Sequence, residues 1–533
     1  MESSESDAIQ AQSANRQIAR AAGSIMLVMV LNQVFSLVSS MLITRAFGTS
    51  AANDAFFASN KFADIIYNLV AGGALASAFI PTFTTLLARD ERQKAWKLAS
   101  AIANWVTLIM VALAGISAVF APWLVKVVLA PGFANNPQVM DLTVRLLRIQ
   151  LAAPVIFGIS GLLMGIINSH QRFILPALAP CMYSLGKILG VLFLVPSMGV
   201  NGLAWGVVIG AAMHGLIQLP ALFSLPQRKY TFTLGLKLAE VREVVRLMAP
   251  RLLGVASVQI NFLVNTNLAS SIPGAVSAIS VAFALMLIPE AAIAQAMAIA
   301  ALPTFSTQVA KGRLDDMRGS LAALLRGILL LALPASVGLI LLRKPLVMLI
   351  YQGGQFGKVS TDMVTWALLW YAAGLVFHSI VEIVSRAFYA LHDTKTPVFV
   401  GVAAMSLNVG LSFLFMAWFR SLGWMAFGGL ALANTVATAL ESLALLWFMR
   451  RRLNGLEGRR LWNGVLVAGL CSLIMAGVLF GWLQATQTAP VWLIGLAGIA
   501  VGAVVYGVAL ILMRVPEISS VVAGIKRRVK REG

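Results

Sequence analysis

Residues 461–484 read LWNGVLVAGLCSLIMAGVLFGWLQ, twenty-four positions without one acid or base. A run of that length spans a hydrocarbon core of about 30 Å as a helix, and a soluble core helix has no need of it. Blocks of this kind recur along the chain, from near 20–46 to near 488–513, and predict an all-α polytopic membrane protein of about fourteen helices. Helices are expected because an open strand leaves backbone groups unpaired in lipid. Composition agrees. Of 533 residues, 59% are hydrophobic and 11% charged, against about 25% charged in a soluble domain.

The formal charge of +20 suggests no nucleic-acid partner, because the basic residues sit in short turns between apolar blocks. With the N-terminus inside, the connections on the cytoplasmic side hold about eighteen of them, Arg89, Arg228 and Arg450 among them. The opposite side holds about five. The bias predicts a multi-pass protein of the inner, cytoplasmic membrane with both termini in the cytoplasm. The basic tail from Lys526 to Arg531 suits anionic lipids on that face. Met1 to Gln17 is polar and acidic, unlike a secretory signal, so the first apolar helix is expected to be retained. Cys181 and Cys471 lie in apolar blocks and predict no disulfide.

Ala74 to Thr85 and Ala296 to Thr307 share a pattern of small residues followed by Pro-Thr-Phe. The segments around Pro122 and Pro345 match at a similar offset. Six helices separate the copies, so the repeat is parallel, which places a substrate site between its halves. The organisation expected is an N-lobe over 1–230 (helices 1–6), a C-lobe over 231–455 (helices 7–12), and two last helices with the basic tail over 456–533.

Residues 353–358, GGQFGK, fall short of a phosphate loop by one residue and lack the following Ser or Thr, and a flexible external loop is expected there. His170, His214, His378 and His392 are scattered, so no metal site and no cofactor are expected. Polar residues inside helices carry more information, since each is costly in lipid unless it faces water or a partner. Helix 2 holds Asp54, Asn60, Lys61, Asp64 and Asn68, and Asn60, Asp64 and Asn68 share one face at i, i+4 and i+8. Lys61 and Asp64 are spaced for an ion pair. Asn32 and Gln33 lie on helix 1, Arg251, Gln259 and Asn261 on helix 7, and Glu290 on helix 8. These eleven residues are the substrate-cavity candidates. His378, Glu382 and Arg386 read as a structural ion pair on helix 10, and Pro81, Pro154, Pro250, Pro289 and Pro303 as hinges.

Thr44-Arg45-Ala46-Phe47-Gly48, Asn53-Asp54-Ala55-Phe56-Phe57, Ala130-Pro131-Gly132-Phe133 and the run from Arg386 through His392-Asp393-Thr394-Lys395-Thr396-Pro397 to Val398 resemble the MurJ/MviN family. The likeness runs collinearly over essentially the whole chain. It implies the multidrug/oligosaccharidyl-lipid/polysaccharide exporter superfamily: two six-helix lobes in a V, with helices 13 and 14 forming a lipid-facing groove. It also implies transport, not catalysis: flipping of the peptidoglycan precursor lipid II between leaflets by alternating access, driven by membrane potential or ions. Implied partners are membrane lipids, a polyprenyl-linked glycan and cell-wall synthesis enzymes. One feature departs. The cavity arginines that the resemblance implies for helices 1, 2 and 8 fall on Gln33, Ser39, Tyr67 and Ala284. Lys61, Lys187 or Arg251 is left to supply the charge. The alternatives are a diverged paralogue exporting another polyprenyl-linked glycan or amphiphile, and a non-transporting scaffold for cell-wall synthesis.

Overall fold

A computed structural model describes residues 28–70, 74–226 and 228–515. The side chains of 70, 74–77, 249–254 and 257 are outside the described set, and so are the expected retained first segment before Val28, Gly72-Gly73 and the basic tail. Two compact units form, Met1–Pro273 and Gly274–Gly533. The described chain is almost entirely helical, with one isolated bridge between Gly353 and Phe356. Twelve helices among the described residues are long and apolar enough to cross a membrane. The chain is a multi-pass membrane protein.

The first unit holds α1 (Val28–Phe47), α2 (Ala51–Val70), α3 (Ala74–Ala88), α4 (Arg92–Val119), α5 (Pro137–Gln150), α6 (Ala152–Ser169), α7 (Ile174–Leu189), α8 (Val200–Leu216) and α9 (Ala239–Ala269). The α2 helix, with Asp54, Lys61 and Asp64 in twenty residues, is not among the twelve apolar spans. It packs on α5, and α9 packs on both α2 and α3. The α7–α8 contact is built on glycine: a Cβ at Gly186 would come 2.1 Å from the Gly210 Cα. In lipid, where burying apolar surface gains little, such close backbone approach supplies the attraction. Between α5 and α6 the chain kinks at Leu151, where Pro154 lacks the N–H for the Gln150 carbonyl.

The second unit holds α10 (Ala275–Glu290), α11 (Ala296–Ala310), α12 (Leu314–Tyr351), α13 (Lys358–Ala390), α14 (Lys395–Ser421), α15 (Gly428–Arg452), α16 (Gly458–Ala485) and α17 (Gly498–Leu512). Leu325, Ile328, Phe388, Leu445 and Met449 make one core across α12, α13 and α15. Leu342, Cys471, Met475, Leu479 and Tyr506 make another across α12, α16 and α17. There the Tyr506 hydroxyl donates to the Leu330 carbonyl at 2.7 Å. The outward faces stay apolar, with Trp462 and Leu473 exposed.

The two matching segments fold alike. Both copies fold as fifteen-residue helices with an internal proline, α3 with Pro81 and α11 with Pro303. Thr85 donates to the Pro81 carbonyl and Thr307 to the Pro303 carbonyl, each at 2.9 Å. Pro289 is followed by a wider π turn over Ala291–Gln295, the kind of local unwinding that bends a helix. The GGQFGK segment is a closed turn and not a flexible loop. Gly353 and Phe356 exchange backbone hydrogen bonds at 3.3 and 3.0 Å, and Phe356 is buried against Tyr351.

Candidate functional site

The α1–α2 connection turns at Gly48, whose φ of +58° suits a residue without a Cβ. Asn53 Nδ2 donates to the Gly48 carbonyl at 2.5 Å and closes the turn. Asp54 is 1% exposed and stands in the first turn of α2, where the helix dipole favours a carboxylate. Both residues of that motif are therefore enclosed by the hairpin.

Two to four turns along, α2 changes character: Asn60, Lys61, Asp64, Tyr67 and Asn68 are only partly buried. Asn60 Nδ2 donates to Asp64 Oδ2 at 3.0 Å, as their i, i+4 spacing predicts. Lys61 takes another partner than the expected Asp64 ion pair. Its Nζ lies 3.6 Å from the ring centroid of Phe262 on α9, a cation–π contact. From α7, the Tyr183 hydroxyl reaches Asn60 and Lys187 Nζ sits 4.4 Å over the Tyr183 ring. The charges of Lys61 and Lys187 both act on Asp64. Tyr67 packs on Phe157 at 5.0 Å between centroids, and Phe157 packs on Tyr183 at 5.0 Å. Behind it, Ser160 Oγ lies 2.6 Å from His214 Nδ1 and accepts from Gln218 at 2.8 Å. Helices α2, α6, α7 and α9 thus hold two ammonium groups around one carboxylate. By formal count the cluster has one positive charge in excess, which suits an anionic group.

The remaining candidates lie elsewhere. On α9, Asn265 donates to Asn261 at 3.4 Å, both buried, and buried Gln259 leaves its Oε1 unpaired. The Arg251 side chain is outside the described residues. Asn32 and Gln33 are partly buried on α1. Glu290, in the second unit, is buried at the end of α10 and accepts from Gln295 at 3.1 Å across the π turn. Glu382, whose charge acts on Glu290, pairs with Arg386 at 2.8 Å as the i, i+4 spacing predicts. His378 leaves that pair, its Nε2 lying 3.1 Å from Asn434 Oδ1. Of the positions that lack the implied arginines, Gln33 and Tyr67 are partly buried and Ala284 is exposed, while Ser39 is fully buried with its Oγ unpaired.

Tyr183 and Phe262 were not among the sequence candidates, and Lys187 figured only as a substitute cation. A lone lysine in the apolar block 174–196 was the one signal that marked it.

Two motifs shared with the family prove architectural. The stretch Ala130 to Phe133 docks on the end of α9: Asn267 donates to the Val128 carbonyl at 2.8 Å, and Gly132 N–H donates to Ser270 Oγ at 3.0 Å. In His392-Asp393-Thr394-Lys395-Thr396, Asp393 accepts from the Thr396 N–H at 3.0 Å and its hydroxyl at 2.8 Å, and pairs with Arg452 at 2.9 Å.

The fold is similar to that of solved transporter structures. A structure titled as an inward-facing multidrug resistance MATE family transporter of the MOP superfamily matches with a TM-score of 0.67 at 15% identity, over 81% of this chain and 99% of that one. A structure titled "Lipid II flippase MurJ, inward closed conformation" matches with a TM-score of 0.78 at 24% identity, over 92% of this chain and 98% of that one. The profile of the family described as "Lipid II flippase MurJ" matches residues 43–500. "Lipid II flippase MurJ" of Burkholderia cenocepacia is 30% identical over 433 residues, 79% of this chain and 82% of that protein. The chain belongs to the MurJ family.

Proposed function

We propose that the chain is a transporter, not an enzyme, that flips lipid II from the inner to the outer leaflet of the cytoplasmic membrane by alternating access. The observation that carries this reading is the partly buried Asn60–Lys61–Asp64 cluster with Lys187, in a chain that matches its family from residue 43 to 500. A pyrophosphate linkage needs cations, and a charge-assisted hydrogen bond is worth about 1.5–3 kcal/mol. Lys61 and Lys187 supply them where Gln33, Ser39, Tyr67 and Ala284 do not. An ammonium is a point charge without the planar fork of a guanidinium, so the headgroup is held by charge more than by bidentate geometry.

In this reading Asn32, Gln33, Asn68, Arg251, Gln259, Asn261 and Asp54 line or brace a substrate cavity of the first unit, and Glu290 is a candidate within the second. The lobes proposed from the repeat are 1–230 and 231–455, with 456–533 appended, while the compact units of the structure divide after Pro273. The loop charges support cytoplasmic termini. Cell-wall synthesis enzymes, which supply and consume such a precursor, are the partners this activity calls for.

The test is binding of purified protein to lipid II and to undecaprenyl phosphate, together with rescue of cells that lack a lipid II flippase. Preferential lipid II binding, weakened about tenfold or more by Lys61→Ala or Lys187→Ala, and rescue by the unmodified chain are expected. The buried Ser39 and the three other arginine-free positions favour a second reading, another polyprenyl-linked glycan as cargo. Failure of rescue with no preference for lipid II selects it.

A further inference from the structure

The segment joining α8 to α9 carries a pattern foreign to the rest of the chain. Residues 228–237 read RKYTFTLGLK, in which Tyr230, Phe232, Leu234 and Leu236 alternate with Thr231, Thr233 and Gly235. Alternation with period two is the mark of extended chain, and residues 228–235 form neither helix nor turn.

No strand lies beside it among the described residues; it runs along α4. The Thr231 N–H donates to Ser100 Oγ at 3.1 Å. Asn104 Nδ2 donates to the Thr233 carbonyl at 2.8 Å, and Trp105 Nε1 to the Leu234 carbonyl at 2.9 Å. The Tyr230 hydroxyl donates to Asn104 Oδ1 at 2.6 Å. Gly235, at φ +58°, seats directly on α4, where a Cβ would come 2.8 Å from that of Ala101. The small side of the strap faces the helix and its large side faces out: Phe232 is 93% exposed, Tyr230 64% and Leu236 63%.

The depth of this contact decides what covers it. The bases that open α4 end at Lys97. At 1.5 Å per residue, Ser100 to Trp105 lie about 4–12 Å beyond it. Past them the outward residues of α4 are Leu108, Ile109, Val111 and Leu113, all exposed. Extended backbone at that depth is costly unless its polar groups are paired. The side chains of Ser100, Asn104 and Trp105 pair one N–H and two carbonyls of the strap. Arg228, Lys229 and Lys237 flank the apolar stretch, and no acid occurs from Pro226 to Ala239.

We propose that this strap is a lipid-binding element of one leaflet. Tyr230, Phe232, Leu234 and Leu236 enter the acyl region, and Arg228, Lys229 and Lys237 hold the phosphates of anionic phospholipids. Aromatic rings just inside a ring of cations match the order of a membrane interface. The strap continues the lipid-facing side of α4, which favours lipid over a protein partner. The inference holds whatever the cargo is.

The experiment places a nitroxide label on Phe232→Cys in the full chain, in vesicles of phosphatidylcholine and phosphatidylglycerol, with Asp315→Cys as the aqueous control. Cys181 and Cys471 are buried. Position 232 is expected to collide with oxygen more than with a water-soluble nickel chelate, and position 315 the reverse. Chelate access at 232 equal to that at 315 overturns the proposal. Shielding from both reagents means that a protein surface or a second copy covers the strap, and overturns it too. Separately, glutamine at Arg228, Lys229 and Lys237 is expected to lower retention of phosphatidylglycerol by purified protein, roughly fivefold per cation, without lowering retention of phosphatidylcholine. Unchanged retention refutes the headgroup contacts.

Discussion

Lys61 extends its ammonium to 3.6 Å from the ring centroid of Phe262, joining α2 to α9 across a stretch where both helices carry polar side chains. The contact positions the cation beside the proposed headgroup site. A cation–π contact of this kind is worth about 0.5–2 kcal/mol. Phe262→Leu keeps apolar bulk and removes the ring face, so flipping in vesicles is expected to slow between about twofold and thirtyfold. Phe262→Tyr is expected to retain most of the rate, and Lys61→Ala to lose more than Phe262→Leu. A Phe262→Leu protein flipping at the unmodified rate removes Lys61 from the proposed site.

Gly132 sits so close to the end of α9 that a Cβ there would fall 2.4 Å from the backbone of Ser270. Neither partner is a flexible side-chain tip, so Gly132→Ala must push the 131–135 segment off the helix. Forced shifts in packed interiors cost about 1–3 kcal/mol. Thermal unfolding in detergent is expected to show a lower midpoint for Gly132→Ala. The control is Gly338→Ala, on α12, where a Cβ meets nothing within 4 Å and alanine favours the helix by up to about 1 kcal/mol. Equal midpoints for the two variants contradict the close docking.

These cases show what the sequence could and could not disclose. Membrane helices follow from apolar length alone, and the Asn60–Asp64 bond follows from spacing on one helix. The partner of Lys61 does not, because Phe262 lies far along the chain on another helix, and spacing along α2 does not point to it. The motif around Gly132 was legible as a family mark, but its reason, a backbone approach to Ser270, is a property of tertiary packing. Residues 228–237 were legible as a basic connection by charge. Their two-residue alternation became meaningful only once α4 was seen to offer Ser100, Asn104 and Trp105 as partners. The likeness of the helices around Pro81 and Pro303 was legible because it is a likeness of helix geometry, and local sequence dictates that most directly.

Asp393 ties three elements together, accepting from Thr396 at the start of α14 and pairing with Arg452 at the end of α15. Burial alone raises its pKa, but the Thr396 N–H, the Thr396 hydroxyl and the Arg452 guanidinium outweigh it and hold the carboxyl below its ordinary value. A carboxyl depressed in the folded state stabilises the fold above the unfolded pKa, about 3.9, and loses that contribution as pH falls through the folded value. Arg452 is largely exposed, so solvent screening limits the contribution to about 1 kcal/mol. Asp393→Asn is therefore expected to lower the unfolding midpoint by a constant amount from pH 8 to pH 6. The gap should narrow only in acid, below about pH 4. A gap that opens or closes between pH 6 and pH 8 assigns the effect to some other group.

The orientation inferred from the loop charges has a direct chemical test. Cytoplasmic loops are enriched in Lys and Arg, which puts Gly312, next to Lys311 and Arg313, inside the cell, and Asn135 and Gln487 outside. All three positions are exposed, between helices, so a cysteine at each is open to reagent from whichever side it faces. The native thiols stay silent because Cys181 and Cys471 are buried among apolar side chains. In intact cells, an impermeant thiol reagent is expected to label Asn135→Cys and Gln487→Cys and to leave Gly312→Cys unmodified until the membrane is opened. Labelling of Gly312→Cys in sealed cells, with Asn135→Cys and Gln487→Cys protected, inverts the topology. It would then place the basic connections, and the flanking cations of the 228–237 strap, on the outer face.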